Sequence, residues 1–171
     1  MSSRSMSDTK ITTKQLAQLA IIAALMVAGK EALSFIPNVH PVMLLITITT
    51  IVYGWKALLP VICFDLVEII IYGFGLWTIM YLYIWPLAVL LVMIFREEQS
   101  RLFWAIIAGG FGLIFGALCS IPYIFTSGIN AAIAYWIAGI PYDLIHGVSN
   151  FVIIFFLLNP MCNLLKKLKE E

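Results

Sequence analysis

Seven polar side chains interrupt stretches that are otherwise apolar, and these are the residues with which the sequence could do chemistry. Lys30 and Glu31 adjoin one another. Asp65 and Glu68 are three residues apart, and Asp143, His146 and Asn150 follow at steps of three and four. On a helix such steps place side chains on one face. Ionisable groups within a membrane are costly to keep and usually have a function. Lys30 can neutralise one carboxylate, and His146 can bond a carbonyl. That leaves further acids to be protonated, hydrated or met by a ligand.

Aromatic residues crowd the same stretches. Trp77, Tyr81, Tyr83 and Trp85 open one apolar run, Tyr123 closes another, and Tyr135, Trp136 and Tyr142 precede or open the last. A belt of Tyr and Trp is common at a membrane surface. An aromatic pocket with a few convergent polar groups is also the usual form of a small-molecule site. Aromatic faces beside carboxylates suit a cationic or hydrogen-bonding heterocycle. The expected substrate-binding set is Asp65, Glu68, Trp77, Tyr81, Trp85, Tyr123, Trp136, Asp143, His146 and Asn150. His40, between Asn38 and Pro41, reads as a loop residue, and the loop Ile36–Pro41 as a lid.

The surrounding elements follow from composition. Of 171 residues 63% are hydrophobic and 11% charged, where a soluble domain carries about 25% charged residues. The chain reads as a single transmembrane domain over 1–171, with a polar N-terminus (1–14) and a basic C-terminus (160–171). Apolar runs predict six spans: Leu16–Phe35, Val42–Tyr53, Ala57–Tyr72, Leu76–Phe95, Leu102–Phe125 and Ile140–Leu158. The second is short for a bilayer that takes about 20 residues. Pro37, Pro41 and Pro141 flank spans, Pro86 should kink the fourth, and Pro122 should bend or end the fifth.

Nine of the ten basic residues then fall on one side: Arg4, Lys10, Lys14, Lys56, Arg96, Arg101, Lys166, Lys167 and Lys169. The positive-inside rule places that side, and both termini, in the cytoplasm. Outer loops are expected at Ile36–Pro41, Gly73–Gly75 and Thr126–Gly139, and the polar groups map largely to the outer half. The polar N-terminus reads as no cleavable signal, and either Met1 or Met6 could be the native start.

Two ladders of small residues allow close helix approach. One is Ala20, Ala24 and Ala28, the other Ala108, Gly112, Gly116 and Ser120. Packing within the bundle is the plain role of each. The first also suits docking to another membrane protein, because a terminal helix tends to lie outside.

Several chemistries are absent from the sequence. There is no Walker A or dinucleotide motif, no HExxH and no GxSxG, and two histidines are few for a metal site. Cys63, Cys119 and Cys162 form no CxxC pair. No enzyme activity, intrinsic cofactor, metal or nucleic-acid partner is expected, and ATP would have to be used by partners.

The chain resembles the substrate-binding S components of energy-coupling factor (ECF) transporters, the ABC-type vitamin importers. The resemblance rests on size, six spans, inside termini, the Ala20-xxx-Ala24-xxx-Ala28 ladder, and the stretches GKEALSFIPNVHPV, IIIYGFGLWTIMYLYIWP and ALCSIPYIF…YWIAGIPYDLIHGVSNF. It implies an all-α six-transmembrane-helix bundle in a bacterial plasma membrane, capturing a water-soluble vitamin or precursor from outside. Candidate ligands are cobalamin, thiamine or its pyrimidine precursor, a vitamin B6 form and a queuosine precursor. It implies as partners a transmembrane coupling subunit, docking on Ala20, Ala24 and Ala28, and two cytoplasmic ATPases. A stand-alone proton-coupled secondary transporter using Asp65, Glu68 and His146 is the principal alternative. An intramembrane enzyme with Asp143 and His146 as acid and base, or a purely structural subunit, are further ones.

Overall fold

A computed structural model describes residues 11–171; their regular structure is helical, without a strand among them. Seven α-helices follow in chain order: α1 (Thr13–Ala32), α2 (Val42–Tyr53), α3 (Leu58–Tyr72), α4 (Leu76–Ile94), α5 (Arg101–Leu113), α6 (Phe115–Ser127) and α7 (Ile129–Glu170). A 3-10 turn, Gly54–Ala57, joins α2 to α3. Among the described residues, five helical stretches are long and apolar enough to cross a membrane: Thr13–Ala32, Val42–Tyr72, Leu76–Ile94, Arg101–Ser127 and Ile129–Glu170. Met1, Arg4, Met6 and Lys10 lie outside the described residues.

Local chemistry sets the helix boundaries. The Thr12 hydroxyl accepts from the Gln15 amide and opens α1; the Ser100 hydroxyl accepts from Phe103 and opens α5. Both satisfy an amide that the first turn leaves free. Gly54, Gly73 and Gly128 have φ of 63°, 76° and 85°, a left-handed backbone that ends α2, α3 and α6 and that other residues adopt at a cost.

Contacts fix the running directions. Gly29, late in α1, faces Pro41 at the start of α2. The Tyr53 hydroxyl at the end of α2 donates to Gln18 Oε1 at 2.7 Å, near the start of α1. So α2 runs back along α1. The turn after it reverses the chain: Lys56 donates to Gln15 at 3.0 Å, and Lys30 pairs with Glu68, so α3 runs parallel to α1. This leaves two ends. One gathers Lys30, Glu68, the 33–41 loop and the start of α4; it is called the Lys30 end. The other gathers Lys56, Arg96 and Lys169 and is called the basic end.

α2 lies at the centre and is buried along almost its whole length. Its Thr47, Thr49 and Thr50 hydroxyls each donate to the carbonyl four residues earlier, at 2.6–2.7 Å. That satisfies a buried hydroxyl without a tertiary partner. α5 and α6 lie along α7. A Cβ on Gly112 would stand 2.7 Å from the Gly147 amide nitrogen, and one on Gly116 would strike the Asp143 carboxylate. The second small-residue ladder is therefore a packing surface within the bundle.

Several boundaries correct the expectations. The fifth predicted span is two helices, broken at Ile114 between α5 and α6. The region Thr126–Gly139, expected as an outer loop, is helical from Ile129 onward, and the last span runs to Glu170. Pro141, expected to flank a span, lies inside α7, and Pro122, expected to bend or end its span, lies inside α6. Pro86 lies inside α4 as expected.

Candidate binding site

The polar residues enter the Lys30 end from five segments: α1, α3, α4, α7 and the 33–41 loop. α1 supplies Lys30 and Glu31. Lys30 Nζ lies 2.5 Å from Glu68 Oε2 on α3 and 3.1 Å from Glu31 Oε1. Glu31 accepts from the Tyr72 hydroxyl at 2.6 Å, and the ammonium sits 4.5 Å from the centre of the Tyr72 ring. Neutralisation of Lys30 by a carboxylate is thus observed. It occupies one oxygen of Glu68; Oε1 has no partner, although the Glu68 side chain is 1% exposed. Asp65, one turn earlier on α3, is also buried, and its Oδ1 has no partner.

α4 supplies an aromatic wall. Trp77, Tyr81 and Trp85 recur every four residues, and each ring centre lies 5.4 Å from the next in an edge-on arrangement. Phe64 of α3 stacks on Tyr81 at 6.2 Å, and Phe115 at the start of α6 meets Trp85 at 5.5 Å. Such edge-to-face contacts fit the quadrupoles of the rings. Trp85 is fully buried and its Nε1–H has no acceptor.

α7 supplies the third wall. Asp143 Oδ1 accepts from the Gly116 amide at 2.8 Å. A carboxylate there caps the N-terminus of α6 and meets its positive dipole end, so this acid has a structural task as well. Its Oδ2 has no partner. His146 is wholly buried with both ring nitrogens unpartnered, its ring 4.8 Å from that of Phe115. Asn150, a turn deeper, donates to the Ala108 carbonyl at 3.4 Å.

The loop 33–41 closes this end. His40 lies in that loop, as expected, and is buried there: its ring centre lies 5.1 Å from that of His146 and 6.1 Å from that of Trp85, and its Nδ1 is unpartnered. Burial, and then the Lys30 charge, hold its pKa down at about 4, so it is neutral at pH 7. Asn38, with φ of 59°, anchors the loop to α7: its side chain donates to the Tyr142 carbonyl at 3.2 Å and its carbonyl accepts from Ser149 at 3.1 Å. Three cavities lie at this end. One of about 350 Å³ is bounded by Lys30, Glu68, Tyr72, Trp77 and Tyr81. One of about 180 Å³ lies under the loop itself, from Lys30 to His40 and Tyr81. One of about 360 Å³ is lined by Asn38, Phe115, Cys119, Tyr135 and Asp143 among others.

No family model, curated protein or solved structure matches the chain.

Of the ten expected site residues, Asp65, Glu68, Trp77, Tyr81, Trp85, Asp143 and His146 converge on this end, joined by contacts through Phe64, Phe115 and His40. Asn150 lies deeper and is spent on a backbone carbonyl. Tyr123 stacks instead on Tyr135 at 4.4 Å. Trp136 is 42% exposed on α7. Sequence reasoning missed His40, Phe64, Phe115 and Tyr72. The available signal for His40 was its place directly before α2, in a loop short enough to be held against the bundle. Among the described residues no group of three or more His, Cys, Asp or Glu side chains is placed to hold a metal ion. Ala20, Ala24 and Ala28 all lie on the exposed face of α1.

Proposed function

We propose that the chain is a membrane receptor subunit for a small water-soluble solute, of the kind found as S components in ECF vitamin importers. On this reading α2 and α3 count as separate crossings, giving six, and the basic end with both termini faces the cytoplasm. The Lys30 end then faces outward. The solute would be a vitamin or vitamin precursor, held against Trp77, Tyr81 and Trp85 and hydrogen-bonded by Glu68, Asp65, Asp143 and His146. The loop 33–41 would move to admit it, as gating loops do.

The observation that carries the reading is the set of unpartnered atoms. Seven buried side-chain atoms on six residues lack a hydrogen-bond partner: His40 Nδ1, Asp65 Oδ1, Glu68 Oε1, Trp85 Nε1, Asp143 Oδ2 and both nitrogens of His146. Buried polar groups left unsatisfied cost about 1–3 kcal/mol each, and a ligand that bonds them removes that cost. The exposed Ala20, Ala24 and Ala28 face supplies a second requirement, a flat surface on which a coupling membrane subunit can pack. Two cytoplasmic ATPases would then drive uptake through that subunit.

Co-expression with a coupling subunit and its ATPases tests the reading. Vitamin uptake that requires all of them supports it. Uptake by the chain alone in vesicles energised by a proton gradient would assign it instead to secondary transport.

A further inference from the structure

The cavity beside Lys30 has the composition of a cation cage. Tyr72, Trp77 and Tyr81 present rings, Glu68 presents a carboxylate oxygen that is buried and unpartnered, and an ammonium is already inside. That ammonium is Lys30 Nζ, 4.5 Å above the Tyr72 ring and within ion-pair distance of Glu68 and Glu31. Aromatic faces within about 6 Å of a cation, with carboxylates behind, are the recognition pattern for organic ammonium groups. A salt bridge formed only for stability would use both oxygens of its buried acid or leave the second to solvent; here Glu68 Oε1 is sealed in without either.

We propose that this cavity is an organic-cation site and that Lys30 is its internal placeholder, displaced when a ligand's own cationic nitrogen enters. The inference rests on the receptor reading above and narrows its substrate to a planar heterocycle carrying positive charge. The heterocycle would lie along Trp77 and Tyr81, its cationic centre would meet Glu68, and Lys30 would swing toward Glu31, which is more exposed. Lys30 then lowers the apparent affinity by keeping the competent arrangement partly populated.

The test uses the full chain in detergent and two probes, N-methylpyridinium chloride and 3-methylpyridine at a pH where the latter is uncharged. Calorimetric titration of wild type and Lys30→Met should give at least about tenfold tighter N-methylpyridinium binding in the variant. 3-Methylpyridine should not gain, and Lys30→Met/Glu68→Gln should lose the gain. Equal affinities in wild type and Lys30→Met, or an equal gain for the neutral probe, would overturn the proposal. If Lys30→Met does not survive purification, ethylammonium chloride in the extraction buffer should restore a monodisperse protein where sodium chloride at the same ionic strength does not; no difference between the salts also overturns it. A co-purified ligand without positive charge would remove the cation site and leave the receptor reading intact. N-methylpyridinium binding in a chain that neither co-purifies with a vitamin nor imports one would do the reverse.

Discussion

The two ends of the bundle handle polar side chains differently. At the basic end, long side chains finish on backbone carbonyls at helix ends or in the 95–100 connection. Arg96 Nε donates to Ile51 O at 3.0 Å, Lys169 Nζ to Val52 O at 2.8 Å, Gln18 to Leu168 O at 2.7 Å, and the Trp104 indole to Glu98 O at 3.1 Å. Cations there also meet the negative ends of helix dipoles. At the Lys30 end the polar groups are more deeply buried, yet each of Asp65, Glu68, Trp85, Asp143 and His146 keeps an atom without a partner. The first pattern satisfies its polar groups within the chain; the second leaves buried groups that the proposed ligand would satisfy.

Four measurements would break or sharpen that contrast. The largest effect concerns His40. Its pKa is about 4 in the folded chain against 6.5 for an ordinary histidine. Below pH 6.5 the unfolded chain takes up a proton that the folded loop refuses until about pH 4. Stability is therefore full above 6.5 and falls as the pH drops through that window, by about 3 kcal/mol in all. Melting curves against pH should show the fall in wild type and a smaller one in His40→Gln; identical curves would mean the loop does not bury a neutral imidazole.

Next, Glu68→Gln and Asp143→Asn should each weaken binding of the cognate solute at least about tenfold, or roughly 1.4 kcal/mol. Asparagine keeps an acceptor for the Gly116 amide, so α6 should stay capped. Isothermal titration reads the effect, and unchanged affinity in both would take these acids out of the site. At the other end, Arg96→Ala should lower stability by about 1 kcal/mol through the lost bond to Ile51 and leave affinity alone; a binding defect would blur the contrast. The smallest effect on stability belongs to Ala24→Leu. On an exposed face it should shift stability by no more than about 0.5 kcal/mol while abolishing co-purification with a coupling subunit. Gly112→Leu, driven against the Gly147 backbone, should instead destabilise the fold by about 1–3 kcal/mol or more; thermal melts of the pair compare an open ladder with a closed one.

Helices were legible where apolar runs and glycines coincide. Val42–Tyr53 is predicted and observed with the same limits, and α3 and α4 each differ by a single residue. The rest failed for identifiable reasons. Ile129–Gly139 was expected as a loop, yet Ile129, Ile133 and Ile137 recur every four residues among alanines that favour helix, and Gly128 alone separates α6 from α7. The break at Ile114 follows a glycine-rich stretch with no polar marker, and Asp143, 27 residues away in sequence from Gly116, is what caps the helix that follows. Asp65, Glu68, Asp143 and His146 were legible because charge inside an apolar run is conspicuous. His40 was less so: its place in a short loop directly before α2 holds it near the bundle, but the contact with His146 is set by α7, over 100 residues away.

Native mass spectrometry of the full chain, extracted from its own membranes in mild detergent, tests the central claim most directly. One small water-soluble molecule should be bound per chain, lost in the Glu68→Gln/Asp143→Asn double variant and retained by Arg96→Ala. The same adduct on the double variant, or its loss from Arg96→Ala alone, would contradict that claim.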